Sequence, residues 1–128
     1  FVGSLASVGG VYGLCKLLSM ENTLLSTLIP KSVTTAIAVE ISEQLGGVPA
    51  ITVAIVIITG VLGAVSGPFL IKIFHIDHEV AQGVAFGTAS HAVGTSKALE
   101  LGEVQGAMSG IAIGVSGIIT VILSLLLK

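Results

Sequence analysis

The stretch FGTASHAVGTSKALELG, Phe86 to Gly102, breaks into an otherwise overwhelmingly apolar chain. It packs three glycines, four hydroxyl side chains, a histidine, a lysine and a glutamate into one short passage. A second passage, PKSVTTAIAVEISEQLGG from Pro30 to Gly47, has the same character. Whether such passages are helices, loops or both decides the fold.

Their surroundings are set by composition. Of 128 residues, 53% are hydrophobic and 9% charged, with a mean hydropathy of +1.09. A soluble domain covers its surface with about 25% charged residues. Five basic and seven acidic side chains cannot do so, and lipid is the expected solvent for most of the surface. Two uncharged runs, Val48 to Ile71 and Val104 to Leu127, end at Lys72 and Lys128. Each exceeds the roughly 20 residues that cross a hydrocarbon core as helix. A third run, Phe1 to Cys15, is shorter and has neither an initiator methionine nor a basic n-region, unlike a signal peptide. The expectation is a single all-α integral membrane domain over 1–128, forming the C-terminal part of a longer chain. It would hold about three clear transmembrane helices plus two broken or re-entrant helical passages. No basic cluster or aromatic platform points to nucleic acid. Cys15 is alone, so it can form no intrachain disulfide and reads as a small apolar helix residue.

The two polar passages are related. Shifting the first by 60 places Val33 on Val93, Thr35 on Thr95, Ala38 on Ala98, Glu40 on Glu100, Glu43 on Glu103 and Gly46 on Gly106. Ile51, Ile58 and Val61 then fall on Ile111, Ile118 and Val121. About nine identities in roughly thirty positions exceed the three or so that this composition gives by chance. The repeat units run over roughly 1–47 and 48–103, with a final helix over 104–128.

Each passage also reads as two half-helices. Pro30 ends the first segment and biases Ile29 away from helical geometry. Helix then restarts at Ser32 or Thr34 with a side-chain oxygen as N-cap, and stops at Gly46-Gly47. In the second passage Asp77 caps a segment that loosens at Gly87, resumes near Gly94-Thr95 and ends around Gly102. A break frees backbone groups that cost several kcal/mol each if they face lipid, so breaks belong in protein or beside a watery cavity. Paired breaks in a repeat are the pattern of a secondary transporter's binding site. Helix starts there favour an anion. On this pattern Thr35 and Thr95 share one central cavity, lined also by Thr34, Ser90 and His91. If both passages cross the membrane, Lys16, Lys72 and Lys128 lie on one side, opposite Glu43 and Glu103. If both are re-entrant, Lys72 changes side and the repeats are inverted.

PKSVTTAIAVEISEQLGG (Pro30–Gly47) and GTASHAVGTSKALELG (Gly87–Gly102) resemble signature stretches of the LrgB/CidB family of bacterial membrane proteins, which includes plastid glycolate/glycerate translocators. The resemblance covers essentially the whole chain. Ala36 departs from it, standing where many relatives have proline. The resemblance implies a multi-pass protein of the bacterial inner membrane, in one of two roles. One is a carrier of small monocarboxylates such as glycolate, glycerate or pyruvate. The other is an antiholin-like regulator of murein hydrolase activity and lysis, with a small LrgA/CidA-type holin-like partner and the option of a homo-oligomer.

The candidate substrate-binding residues are Lys31, Thr34, Thr35, Ser90, His91, Thr95, Ser96 and Lys97. The lysines would serve as countercharges to a carboxylate, or else snorkel to the interface. Histidine is the side chain type suited to exchanging protons near neutral pH, so His91 fits proton coupling, or else is a hydrogen-bonded structural histidine. Glu40 and Glu100, equivalent in the repeat, would carry a coupling proton or form ion pairs, Glu100 being three residues from Lys97. His75 to Glu79, HIDHE, reads as a polar loop rather than a metal site, and no cofactor is expected. Ser90 lacks a nucleophile-elbow context, so no catalytic residue is assigned. Gly106, Gly110 and Gly114, and likewise Gly9 and Gly13, are spaced to let helices pack closely.

Overall fold

Pro30 supplies no N–H to a helix, and α2 (Asn22–Leu28) stops just before it. Ile29 nevertheless keeps αR geometry, at φ −49° and ψ −47°, contrary to the extended conformation expected ahead of proline. The turns Lys31 N–H to Leu28 O and Val33 N–H to Pro30 O explain this: the chain reverses tightly instead of running on. In the computed structural model, which describes residues 1–126, the remaining elements are α1 (Val2–Leu17), α3 (Thr35–Gln44), α4 (Pro49–Ile73), α5 (Glu79–Leu101) and α6 (Glu103–Leu126). The end of the last apolar run, Leu127 and Lys128, lies outside the described residues. Among those described, the protein is all-helical. α4 and α6 are the two helices long and apolar enough to cross a membrane, and α1 is a shorter apolar helix.

α2 and α3 fold back on each other. Thr52 Oγ1 lies 3.0 Å from the Thr27 carbonyl oxygen and 2.7 Å from Ser42 Oγ. Fifteen residues of continuous helix would hold those two partners about 22 Å apart. The Val48 N–H also donates to Thr27 Oγ1, and Gly47 packs against the backbone of Ser26 and Thr27. The base of this hairpin therefore sits beside the start of α4. Gly46 closes it in the left-handed region, at φ 77°, with Gly47 N–H bonded to the Ser42 carbonyl.

α5 reverses as well. Its two helical limbs join at His91, whose φ of 42° and ψ of −137° no helix contains. Beside Gly94 lies the Phe86 carbonyl, which continuous helix would put about 12 Å away. Partners on α6 show the reversal directly. The inbound limb climbs with α6, Gly83 lying on Gln105 and Gly87 on Ser109 and Ala112. The return limb descends against it, Thr95 bonding Ser109 and Leu99 covering Gly106. The sequence places this break between Gly87 and Thr95; it falls at one residue, and helix resumes at once.

The two hairpins approach α4 from opposite ends. Gly67 receives Phe86, Gly63 receives Ser90, and Gly60 receives His91 and Val93, so the second hairpin rises from the C-terminal end of α4 toward its middle. Val33 and Ala38 of the first hairpin pack on Val56. α6 then returns past the first hairpin, with Gly117 against Ile37. α1 runs alongside α6 in the same direction, Ser4 meeting Ser116 and Leu123 packing on the cluster that contains Val8.

Small residues make this possible, though not the expected ones. Gly106 packs under Leu99, but Gly110, Gly114, Gly9 and Gly13 have nothing within 4 Å of where a Cβ would stand. The close approaches are at Gly60, Gly63 and Gly67 of α4 and Gly83 and Gly87 of α5. Gly63→Ala drives a methyl group into Ser90 and is expected to lower stability by about 1–3 kcal/mol. Gly110→Ala is expected to be neutral or stabilising by up to about 1 kcal/mol. Thermal unfolding in detergent separates the two, and a Gly63→Ala variant as stable as the parent would contradict the hairpin seat.

Candidate functional site at the two hairpin tips

The first tip, Ile29 to Thr34, carries Lys31. Its ammonium is half-buried and donates to Ser7 Oγ on α1 at 3.4 Å. Ser7 in turn donates to Ser32 Oγ at 2.8 Å. Three residues earlier on α1, hence on the same helix face, Ser4 bonds Ser116 Oγ of α6 at 2.9 Å. Among the described residues no carboxylate lies within ion-pair distance of Lys31; the one ion pair joins Lys97 to Glu100. A half-buried cation with only neutral hydroxyl partners is short of counter-charge.

The second tip is built around His91, which is 4% exposed. Its Nε2 lies 2.8 Å from the Val56 carbonyl oxygen. A carbonyl only accepts, so that nitrogen carries the proton and donates. Thr95 Oγ1 donates to the His91 carbonyl at 3.0 Å and accepts from Ser109 of α6 at 2.7 Å. Ser90, 1% exposed, fills the notch at Gly63. A cavity of about 410 Å³ runs from Phe74 and Ile76 along α4 and the inbound limb to end at Ser90. None of its lining residues comes from the first hairpin.

Ser90, His91 and Thr95 are thus brought together, while Lys31 stands apart at the other tip. The tips converge on Val56, whose side chain meets the first and whose carbonyl meets the second. α3 and α5 themselves have no Cα atoms within 8 Å. Thr34 is the N-cap of α3 but makes no side-chain cap bond, and Thr35 is exposed. Ser96 is exposed and bonds its own helix at Ala92. Lys97 and Glu100 pair on the outer side of the return limb, and Glu40 is exposed beside Val121 and Ser124. Asp77 does not cap α5; His78 holds the N-cap position, without a side-chain bond.

Several site residues were not anticipated: Ser4 and Ser7 on α1, Ser32 at the tip, and Ser109, Ser116 and Thr120 on α6. Their signal is periodicity. Ser109, Ser116, Thr120 and Ser124 recur every seven or four residues, which keeps hydroxyls on one face of an otherwise apolar helix. All four are buried.

A helical membrane protein with two folded-back hairpins converging on a central helix defines the class. The sequence matches the LrgB-like family over residues 1–128, and the chain belongs to that family. It is 44% identical over 119 residues to the uncharacterized protein YwbG of Bacillus subtilis, a match covering 93% of this chain and 53% of that protein. It is 42% identical over 121 residues to the antiholin-like protein LrgB of Bacillus mycoides, covering 94% and 53%. The antiholin-like protein LrgB of Bacillus cereus (strain B4264) is 41% identical with the same coverage. The chain therefore spans about half the length of the curated relatives it matches. No solved structure matches it.

His91 holds a backbone conformation that L side chains rarely adopt, a strain of about 1–3 kcal/mol. His91→Ala loses the Val56 bond and keeps the strain. His91→Gly loses the same bond but relieves the backbone. Denaturant unfolding in detergent is expected to find the glycine variant more stable than the alanine one by about 1 kcal/mol, reversing the usual order for a helix.

Proposed function

We propose that this chain forms the binding region of a multi-pass inner-membrane carrier for small monocarboxylates of the glycolate, glycerate or pyruvate type. The supporting observation is Lys31: a cation at a hairpin tip, held by Ser7 and lacking an acidic partner among the described residues. On this reading α4 and α6 span the bilayer, and the hairpins are re-entrant from opposite faces. They then form an inverted repeat whose tips meet near the midplane, a common transporter plan. Val56 and Gly60 lie 7 and 11 residues into α4, about 10 and 17 Å along a helix roughly 37 Å long, so Gly60 is close to its centre and Val56 about 8 Å from it. One cation among neutral hydroxyls suits a monoanion. His91, at the repeat position equivalent to Lys31, and the exposed Glu40 are the groups available for proton coupling. Lys97 is already neutralised by Glu100.

A second reading is antiholin-like regulation of murein hydrolase activity through a holin-like partner or a homo-oligomer. It draws on the names of the relatives and on Gly9, Gly13, Gly110 and Gly114, which face outward with nothing against them. Such faces suit helix association in lipid.

Uptake of radiolabelled glycolate and pyruvate by proteoliposomes of the full-length protein tests the first reading. Lys31→Gln is expected to reduce uptake at least tenfold, while Lys97→Gln leaves it within about twofold, as for an exposed pair. Absence of uptake of any short organic acid by folded protein would sink the carrier reading. Replacing Gly110 and Gly114 with leucine tests the second: loss of a lysis phenotype with uptake intact is its expected signature.

A further inference from the structure

We infer that Thr120 of α6 is a ligand-contacting residue of the Lys31 site, its hydroxyl donating to the bound carboxylate; the inference rests on the carrier reading. Thr120 is 0% exposed, and its Oγ1 is the one sealed side-chain polar atom with no hydrogen-bond partner among the described residues. Elsewhere, helical hydroxyls in this protein find the carbonyl four residues back: Thr27 to Thr23, Thr88 to Val84, Thr95 to His91 and Ser96 to Ala92. The hydroxyls on either side of Thr120 are also satisfied, Ser116 by Ser4 and Ser124 by the Val121 carbonyl. A buried hydroxyl left without a partner carries a desolvation penalty, and its position is informative for that reason.

Two relations direct Thr120 toward the Lys31 tip. The first is register. Ser116 meets Ser4, and Leu123 packs on the cluster holding Val8 and Ile29. Thr120 lies between them on the same face as Ser116, level with Ser7 and the first tip. The second is the repeat. Lys31 and Thr120 are each 60 positions from His91 and Gly60, and the His91 ring packs directly on Gly60. By the 60-residue offset of the sequence, the positions corresponding to that contact are Lys31 and Thr120. Where the second tip has a ring over a glycine, the corresponding positions of the first hold a cation and an unpaired hydroxyl. A carboxylate between them gives Lys31 its counter-charge and Thr120 its acceptor. The hydroxyl is closed off in the present conformation and opens when α1 or the first tip moves off α6, as alternating access requires.

Thr120→Val removes the hydroxyl at constant shape, and Thr120→Ser keeps it. In proteoliposomes of full-length protein with glycolate and pyruvate as probes, Thr120→Val is expected to raise KM at least tenfold. Its unfolding temperature should equal or exceed that of wild type, since an unpaired hydroxyl has gone. Thr120→Ser is expected to stay within about threefold of wild type, and Thr120→Ala replaces the valine variant if that one misfolds. An unchanged KM in Thr120→Val overturns the inference while wild-type uptake keeps the carrier reading. An equal loss in Thr120→Ser also overturns it, by showing that packing alone matters. Wild-type protein that takes up neither acid, nor any other short organic acid, removes both.

Discussion

A backbone that leaves helical geometry in apolar surroundings must find new partners for the groups the helix had satisfied. The hydrogen bond from His91 to the Val56 carbonyl meets that demand at the second tip. It holds a histidine in a conformation that unconstrained chain avoids, and it does so at Val56 in the first half of α4, where Val33 and Ala38 also bear. The flanking architecture is arranged around this point. Three glycines on α4 clear a path for Ser90, His91 and Phe86, and two on α5 let α6 come close enough for Ser109 to reach Thr95.

The first tip solves the same problem with different material. Pro30 removes one donor outright, tight turns through Lys31 and Val33 satisfy others, and the side-chain demand passes to Ser7 and Ser32. One tip is therefore fixed by a ring against a carbonyl, and the other by a chain of hydroxyls around an ammonium. Hydroxyl contacts of this kind exchange partners at little cost, whereas a strained residue clamped to a backbone carbonyl has few alternatives. The second tip reads as the anchored half and the first as the adaptable half.

Much of this was legible in the sequence. The apolar runs, the stop at Pro30, the glycine stop at Gly46-Gly47 and the existence of two breaks follow from local chemistry. The direction of the chain after each break did not. A half-helix of seven to twelve residues looks the same whether the next one continues or reverses, because reversal depends on one residue's backbone angles and on contacts from distant helices. The glycines misled for a related reason. Spacing identified Gly110 and Gly114 as a face but could not say what stood against it, while the seats at Gly60, Gly63 and Gly67 sit in an apolar run with no polar marker. Among the candidate residues, Lys31 and His91 stand out in the sequence because charged or titratable groups are rare in this chain. Ser7 and Thr120 were overlooked because single hydroxyls on apolar helices attract no notice until their periodicity is laid out.

Lys31 has an electrical consequence as well as a chemical one. On the proposed reading it is a fixed charge near mid-depth, inside the field that a membrane voltage imposes. The empty site is then positive and the occupied site neutral. Any rearrangement that moves the first tip across part of the bilayer would shift charge when empty and none when loaded with a monoanion. A full unit crossing 100 mV is worth about 2.3 kcal/mol. Voltage would therefore act on the return of the unloaded protein, not on the loaded step. The second tip, clamped to α4 through the bond from His91 to Val56, would not make that movement.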